Sequence, residues 1–220
     1  MIHRLKNNRH TRCFLAATII GLLMGACIPY SDNPLTDPDK EKMDSSLYGS
    51  WYWRDENEAG FVHIGLDETS GLLRVIMLDL DTEDRIDVCE FMGHPSRLDK
   101  KSYLNLKWVR PKNKEDGYIF VKYHTTRDAF AISMVDRDAV IKAIEGATLK
   151  GTIAEGKWFS SVRITEGQKT LQQFMLAHDE KLFKETKVLR KLSLPEKKMQ
   201  PKPIKSWNGS GGKFLINNDF

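Results

Sequence analysis

Five acidic residues in the stretch 79–90 are spaced in a way that suits binding of a hard cation. Asp79, Asp81, Glu83, Asp87 and Glu90 take positions 1, 3, 5, 9 and 12 of a calcium loop. The sixth position of such a loop needs glycine for a sharp turn, but Asp84 stands there, and the run 72–80 before it reads as a strand. An acidic loop between two strands therefore explains the same residues without a metal, and calcium is the alternative.

Cys89 and His94 bring a thiol and an imidazole close in sequence, as in a cysteine nucleophile and its base. A reactive thiol needs electropositive, partly exposed surroundings, whereas Cys89 has Val88, Glu90 and Phe91 beside it. The sequence favours a buried structural thiol. No zinc-ligand spacing, Gly-rich phosphate loop or serine elbow is present in it. We therefore expect a non-catalytic protein without a cofactor, and a hydrolase using Cys89 or a histidine is the alternative.

The first 26 residues have the order of a secretory signal. Arg4, Lys6, Arg9 and Arg12 precede an uncharged apolar run at 13–26, and the segment holds no acidic residue. A membrane-spanning helix needs about 20 apolar residues. This run is shorter and is followed by several prolines and aspartates. We therefore predict a cleaved signal peptide at residues 1–26.

The end of this run, Met24-Gly25-Ala26-Cys27, resembles the lipobox of bacterial lipoproteins. The resemblance implies cleavage before Cys27, which then carries acyl chains on its sulfur and its amino group. Two or three chains give stable membrane anchoring where a single chain gives only marginal binding. If the organism has two membranes, the resemblance also implies that the protein is sorted to the outer membrane and faces the periplasm. The reason is that Ile28 follows Cys27, in place of the aspartate that retains such proteins at the inner membrane.

Composition restricts the partners of the mature chain. Removing the four basic residues of the signal leaves 30 Lys and Arg against 30 Asp and Glu, so nucleic acid is not expected as a partner. Cys13 leaves with the signal and the sulfur of Cys27 is acylated, so no intrachain disulfide is possible and an apolar core must hold the domain together. The expected partners are the membrane, through the lipid, and a small apolar ligand or an envelope protein.

The mature chain divides into three parts. Residues 27–46 are rich in Asp, Pro, Ser and Lys without apolar periodicity, and predict a flexible tether. We expect residues 47–192 to form a single domain, because their number suffices for one apolar core. The segment 193–220 combines prolines and glycines with Lys197, Lys198, Lys202, Lys205 and Lys213, and predicts a disordered basic tail.

Within the domain, short apolar blocks bounded by turn residues predict a meander of antiparallel strands. The predicted strands are 48–53, 61–66, 72–80, 86–92, 103–109, 118–124, 130–135, 158–164 and 188–192. Apolar spacing predicts a helix at 136–147, and Thr165 with Gln168 forms a capping-box pattern for a second helix ending near 178.

Gly49-Ser50-Trp51-Tyr52 resembles the Gly-x-Trp signature on the first strand of lipocalin-like barrels. The resemblance implies a mainly β fold, an antiparallel meander closing into a barrel of about eight to ten strands, with one or two short helices in the second half. It also implies that Trp51 closes one end, that Arg190 covers it, and that a ligand binds in the barrel mouth near Trp51. The second lipocalin signature, Thr-Asp with a nearby Tyr, is not found.

Overall fold

The computed structural model describes residues 28–40, 42–55, 59–80, 85–110, 116–156 and 160–193. The predicted signal, Cys27 and nearly all of the predicted tail lie outside them. The strands within the described residues are β1 (Tyr30–Ser31), β2 (Gly49–Arg54), β3 (Ala59–Leu66), β4 (Leu73–Leu80), β5 (Ile86–Leu98), β6 (Lys101–Trp108), β7 (Ile119–Thr125), β8 (Ala129–Met134), β9 (Gly151–Ala154), β10 (Ser161–Ile164) and β11 (Lys187–Lys191). The helices are α1 (Arg137–Glu145), α2 (Gln168–Ala177) and α3 (Asp179–Leu182), with 3-10 turns at Pro38–Lys40 and Ser45–Leu47.

The main body is a closed eight-stranded antiparallel barrel. Strands β2 to β8 form a meander, and β11 pairs with both β8 and β2 to close the ring. Closure leaves no exposed sheet edge in the barrel. The predicted fold class, a mainly β meander closing into a barrel with short helices late in the chain, is confirmed.

The barrel interior is lined mainly by apolar side chains that alternate with outward-facing ones along each strand. Eight strands enclose a space just wide enough for side chains to fill or for one small ligand. Here five of the sixteen buried interior residues are aromatic. The interior core consists of Leu47, Trp51, Trp53, Val62, Ile64, Leu73, Val75, Cys89, Phe91, Leu104, Leu106, Ile119, Val121, Tyr123, Phe130 and Leu189.

A second apolar core lies outside the barrel, against the outer face of β5, β6 and β7. Leu98, Tyr103 and Phe120 point outward from these strands and are buried under other parts of the chain. The cover is made by the three helices, by a small sheet in the order β1-β10-β9, and by Leu35 near the start of the chain. One wall of the barrel is therefore covered, and the outer face of β2 to β4 stays open.

Residues 28–40 form what we call the N-terminal strap, and the prediction of a flexible tether is wrong for them. Ser31 and Leu35 are fully buried. Strand β1 pairs in parallel with β10, and Ser31 exchanges two backbone hydrogen bonds with Tyr118, of 2.8 and 2.7 Å. A segment without apolar periodicity is thus fixed by long-range polar contacts, and the fold begins well before residue 47.

One smaller prediction also differs from the structure. The capping box of Thr165 and Gln168 does not form, because the N-cap of α2 is Gly167, without a side-chain hydrogen bond. Gln168 instead donates to Pro34 and Asp37 of the strap. In the described part of the chain, none of the helices has the length and apolar character needed to span a bilayer.

Candidate functional site

The first end of the barrel, here called the Trp51 end, is where β2 begins and β11 finishes. Trp51 is fully buried, its Nε1 donates to the Leu47 carbonyl oxygen at 2.9 Å, and its ring lies 5.4 Å from that of Phe130. Leu47 is also fully buried. A ligand would reach Trp51 only after the Ser45–Leu47 turn moved, so the structure does not support the predicted ligand mouth at this end.

The side chain over Trp51 is not the predicted one. The ammonium of Lys191 lies 5.1 Å from the centroid of the Trp51 ring. Arg190 stands opposite Tyr52 on the outer face and is exposed. Since side chains alternate along a strand, a shift of one residue moves a side chain to the other face. The assignment of the covering cation to Arg190 is therefore corrected to Lys191.

The acidic residues of the candidate calcium loop do not converge. Asp79 and Asp87 lie opposite each other on β4 and β5 and face the interior. Glu90 faces outward and accepts a 2.6 Å hydrogen bond from Arg74 Nε. Asp81 and Glu83 lie outside the described residues, within which no group of three or more ligating side chains is arranged for a metal.

Cys89 and His94 are held apart by the strand that carries both. They are five residues apart on β5, an odd spacing that puts them on opposite faces. Cys89 belongs to the interior core. His94 is 1% exposed on the outer face, where its Nε2 donates to the Thr36 carbonyl oxygen at 2.7 Å. The geometry does not support a nucleophile and base built from this pair.

The inner face of the strap is held by a buried polar cluster that the sequence did not indicate. Asn105 on β6 is fully buried, and its Oδ1 accepts from the Leu35 backbone N–H at 2.7 Å. Its Nδ2 donates to Ser96 Oγ at 2.6 Å and to the His94 carbonyl oxygen at 3.2 Å. Ser96 in turn is 2.5 Å from Thr36 Oγ1. The barrel wall thus satisfies the backbone of the strap, which would otherwise be costly to bury.

The outer face of the strap is held by α2 and the segment before it. Gln172 Nε2 donates to the Leu35 carbonyl oxygen, and Gln168 Nε2 donates to Asp37 Oδ1 at 3.2 Å. Asn33 Nδ2 donates to the Glu166 carbonyl oxygen at 2.9 Å. The strap is therefore enclosed between barrel and helix, and its position relative to the barrel is fixed.

The strap starts at the second end of the barrel, here called the Ile28 end. Ile28 packs against the interior core, and Ser31 pairs with Tyr118, immediately before β7 begins. From there the strap passes Asn105 in the middle of β6, and the Asp44 carboxylate then accepts from Tyr123 Oη at 3.0 Å near the Trp51 end. The chain thus enters the domain at the Ile28 end and runs down the barrel wall.

A patch of exposed apolar side chains, which we call the apolar face, lies near the same end. Phe61, Leu78 and Val88 face outward in register across β3, β4 and β5. The next pair in register is Leu80 and Ile86. Ile86 is 64% exposed and Val88 is 58% exposed. Single exposed apolar residues are ordinary, but a contiguous group is typical of an interaction surface.

A comparison with known protein families, curated proteins and solved structures finds no match. Function is therefore inferred from the strap, the two barrel ends and the apolar face.

One polar group of the interior lacks a hydrogen-bond partner among the described residues. Trp53 lies near the Ile28 end, with its ring packed over Gly60, and its buried Nε1 has no acceptor there. The ammonium of Lys187 lies 4.8 Å from the ring centroid. A buried donor without an acceptor is costly, so this position is the part of the interior that best suits a hydrogen-bond acceptor from outside the chain.

A buried carboxylate joins the second core to the barrel. Asp179, 3% exposed, accepts from Tyr103 Oη at 2.7 Å and pairs with Lys122 at 2.6 Å and Lys101 at 3.1 Å. Burial raises the pKa of the Asp179 carboxyl, but the hydrogen bonds from Lys122, Tyr103 and Lys101 outweigh that effect and hold its pKa below the ordinary value. The same contact and burial raise the pKa of Tyr103.

Asp179→Asn should lower the free energy of unfolding at neutral pH and make that free energy less sensitive to acid. A carboxyl with a lowered folded pKa stabilises the fold above its unfolded pKa of about 4 and loses that contribution as the pH falls through the folded value. Because both lysines are about a third exposed, we expect a loss of roughly 2 kcal/mol at pH 7. Urea unfolding from pH 7 to pH 3 measures it, with the exposed Asp138→Asn as control. If the free energy of unfolding changed equally with pH in the variant and the wild type, the stabilising role of the ionised Asp179 would be contradicted.

Proposed function

We propose that the chain is a lipid-anchored protein of the bacterial cell envelope, with Cys27 as the acylated residue. Its domain acts as a non-catalytic module that binds through its outer surface. If the organism has two membranes, the outer membrane facing the periplasm is the expected location, because Ile28 follows the cysteine.

The observation that carries this proposal is the position of the lipobox-like motif relative to the fold. Met24-Gly25-Ala26-Cys27 ends a basic and then apolar leader, and the next residue, Ile28, already packs against the interior core. Cleavage before Cys27 would therefore leave the described domain whole. It would also place the acylated residue directly at the Ile28 end of the barrel.

A lipocalin-like origin of the barrel is part of the proposal. It is supported by Gly49-Ser50-Trp51 on the first barrel strand, by the eight-stranded meander, and by the cation of Lys191 over Trp51. One feature departs from a plain meander, because α1 to α3 and the small sheet are inserted between β8 and the closing strand β11.

The large aromatic side chains buried inside the barrel favour surface binding over carriage of a ligand. Trp51, Phe91 and Phe130 are all buried inside the barrel, and the Trp51 end is closed by Leu47. A hydrolase is disfavoured because Cys89 and His94 point to opposite sides of the barrel wall. The exposed apolar face is better explained by binding of an envelope protein or of the membrane surface than by carriage of a ligand or by hydrolysis.

A small ligand near Trp53 is the second candidate, carried by the unsatisfied Nε1 of that residue. Such a ligand would present a hydrogen-bond acceptor to the indole and apolar surface to the core around it. Native mass spectrometry of protein purified under mild conditions tests it, since a bound molecule appears as a discrete added mass. Only the unliganded mass in wild type would leave surface binding as the function.

Cys27→Ser should prevent acylation and normal cleavage, so that a larger, unlipidated precursor accumulates. The wild type should incorporate labelled palmitate and partition into detergent, because each buried methylene contributes about 0.8 kcal/mol. Cys13→Ser in the predicted leader is the matched control and should change neither labelling nor size. Wild type that takes up no labelled fatty acid, or a Cys27 variant processed like wild type, would refute the lipid anchor.

A further inference from the structure

We propose that the apolar face of the barrel rests on the surface of the lipid bilayer that holds the anchor. The inference rests on the proposed acylation of Cys27, and it assigns an orientation to the domain. The barrel sits directly on the membrane with its Ile28 end toward the lipid, without a spacer.

The anchor and the fold adjoin directly in the chain. Consecutive Cα atoms are about 3.8 Å apart, so an acylated Cys27 lies within one residue of Ile28, which packs against the interior core. Residues 30–37 are then fixed to the barrel by Asn105 and to α2 by Gln172. A lipid on Cys27 thus brings the Ile28 end of the barrel to the headgroup region.

The outer wall of the barrel is apolar at that end. Ile86 and Leu80 form the last registered pair of β5 and β4, and Val88, Leu78 and Phe61 form the next registered row. Strand β5 is separated from β7, where the strap begins, only by β6. The apolar face and the point of anchoring therefore adjoin the same end of the barrel, so one orientation brings both to the lipid.

The anchor favours lipid over a protein as the occupant of the apolar face. Two or more acyl chains hold the Ile28 end at the bilayer continuously, so weak apolar contacts there act at high effective concentration. The β2–β3 connection (55–58) and the β4–β5 connection (81–85) carry six acidic residues and one basic residue, Arg85, so a zwitterionic surface is expected rather than an anionic one.

Two single cysteines on opposite walls test the orientation. Val88 on β5 and Val188 on β11 are both 58% exposed and lie four strands apart in the eight-stranded ring. Val88→Cys and Val188→Cys are each labelled with an environment-sensitive fluorophore in the lipidated mature protein. The protein is placed in vesicles of phosphatidylethanolamine and phosphatidylcholine, some containing spin-labelled lipid. Wild type is the labelling control, because Cys27 is acylated and Cys89 is buried.

The expected result is a blue shift and several-fold stronger quenching by spin-labelled lipid for the probe at 88 than for the probe at 188. Ile86→Cys should behave as Val88→Cys does, and Glu68→Cys, in the turn after β3, should stay in water. Equal quenching at 88 and 188 would overturn the proposal. So would a probe at 88 that is shielded only after envelope proteins are added, which would assign the face to a protein.

The intact mass of the same samples separates this inference from the proposed function. If the mature protein lacks acyl chains, the lipid anchor itself is wrong. If it carries them and the probe at 88 remains in water, the anchor stands and only the membrane-facing orientation fails.

Discussion

Asn105→Ala is expected to lower the free energy of unfolding by about 3 kcal/mol, although the residue belongs to no proposed binding surface. The substitution removes the acceptor of the buried Leu35 N–H and the donor to Ser96 Oγ and the His94 carbonyl oxygen. A buried polar group left without its partner costs about 1–3 kcal/mol. Urea denaturation monitored by tryptophan fluorescence measures the loss.

The part of the chain that is destabilised is as informative as the size of the loss in the free energy of unfolding. In Asn105→Ala, hydrogen exchange should accelerate first at residues 31–37, because the strap loses the contact that satisfies its backbone. Asn33→Ala is the matched control: it removes one partly exposed hydrogen bond to Glu166 on the other side of the strap and should cost about 1 kcal/mol. Unchanged exchange at Leu35 in the Asn105 variant would show that the strap is held by other contacts.

The strap also links stability to the proposed orientation. In lipidated protein, loosening residues 31–37 leaves a flexible segment between the lipid anchor and the barrel, as the predicted tether would have done. The probe at 88 should then be quenched less by spin-labelled lipid in an Asn105→Ala background, while acylation of Cys27 is unchanged.

The barrel was predictable from sequence because its signal is local. Strand β3, with Phe61, His63 and Gly65 outward and Val62 and Ile64 inward, shows the two-residue period directly, and Gly-containing loops separate such blocks. Burial of one face fixes the register. The meander follows from that pattern repeated along the chain, whereas its closure into a barrel was implied by the resemblance of Gly49-Ser50-Trp51-Tyr52 to the lipocalin signature.

The strap, the covering cation and the Asp179 cluster were not predictable, because their determinants are distant in sequence. Ile28 and Leu35 are the two aliphatic residues of the strap, and the N–H of Leu35 is satisfied by Asn105, seventy positions away. Choosing Lys191 over Arg190 requires the register of β11 against β2. Asp179 gives no local signal at all, since both lysines that bind it come from the barrel wall.

Trp51→Ala is expected to lower the free energy of unfolding by about 4 kcal/mol, the usual cost of removing a large aromatic side chain from a packed core. Trp51 has no exposed surface and contacts Phe130, while its Nε1 bond holds the Leu47 turn that closes this end of the barrel.

Two further substitutions are compared with Trp51→Ala. One separates the contribution of ring packing from that of the hydrogen bond, and the other changes the neighbouring residue on the outer face. Trp51→Phe keeps an aromatic ring but loses the bond to Leu47, so it should cost about 1–2 kcal/mol. Tyr52→Ala, on the outer face next to it, should cost less than about 1 kcal/mol, since its side chain lies outside the barrel core. Chemical denaturation of the three variants gives the order. If Trp51→Ala were as stable as Tyr52→Ala, Trp51 would not be a closing residue, and a ligand-accessible mouth at this end would again be the better interpretation.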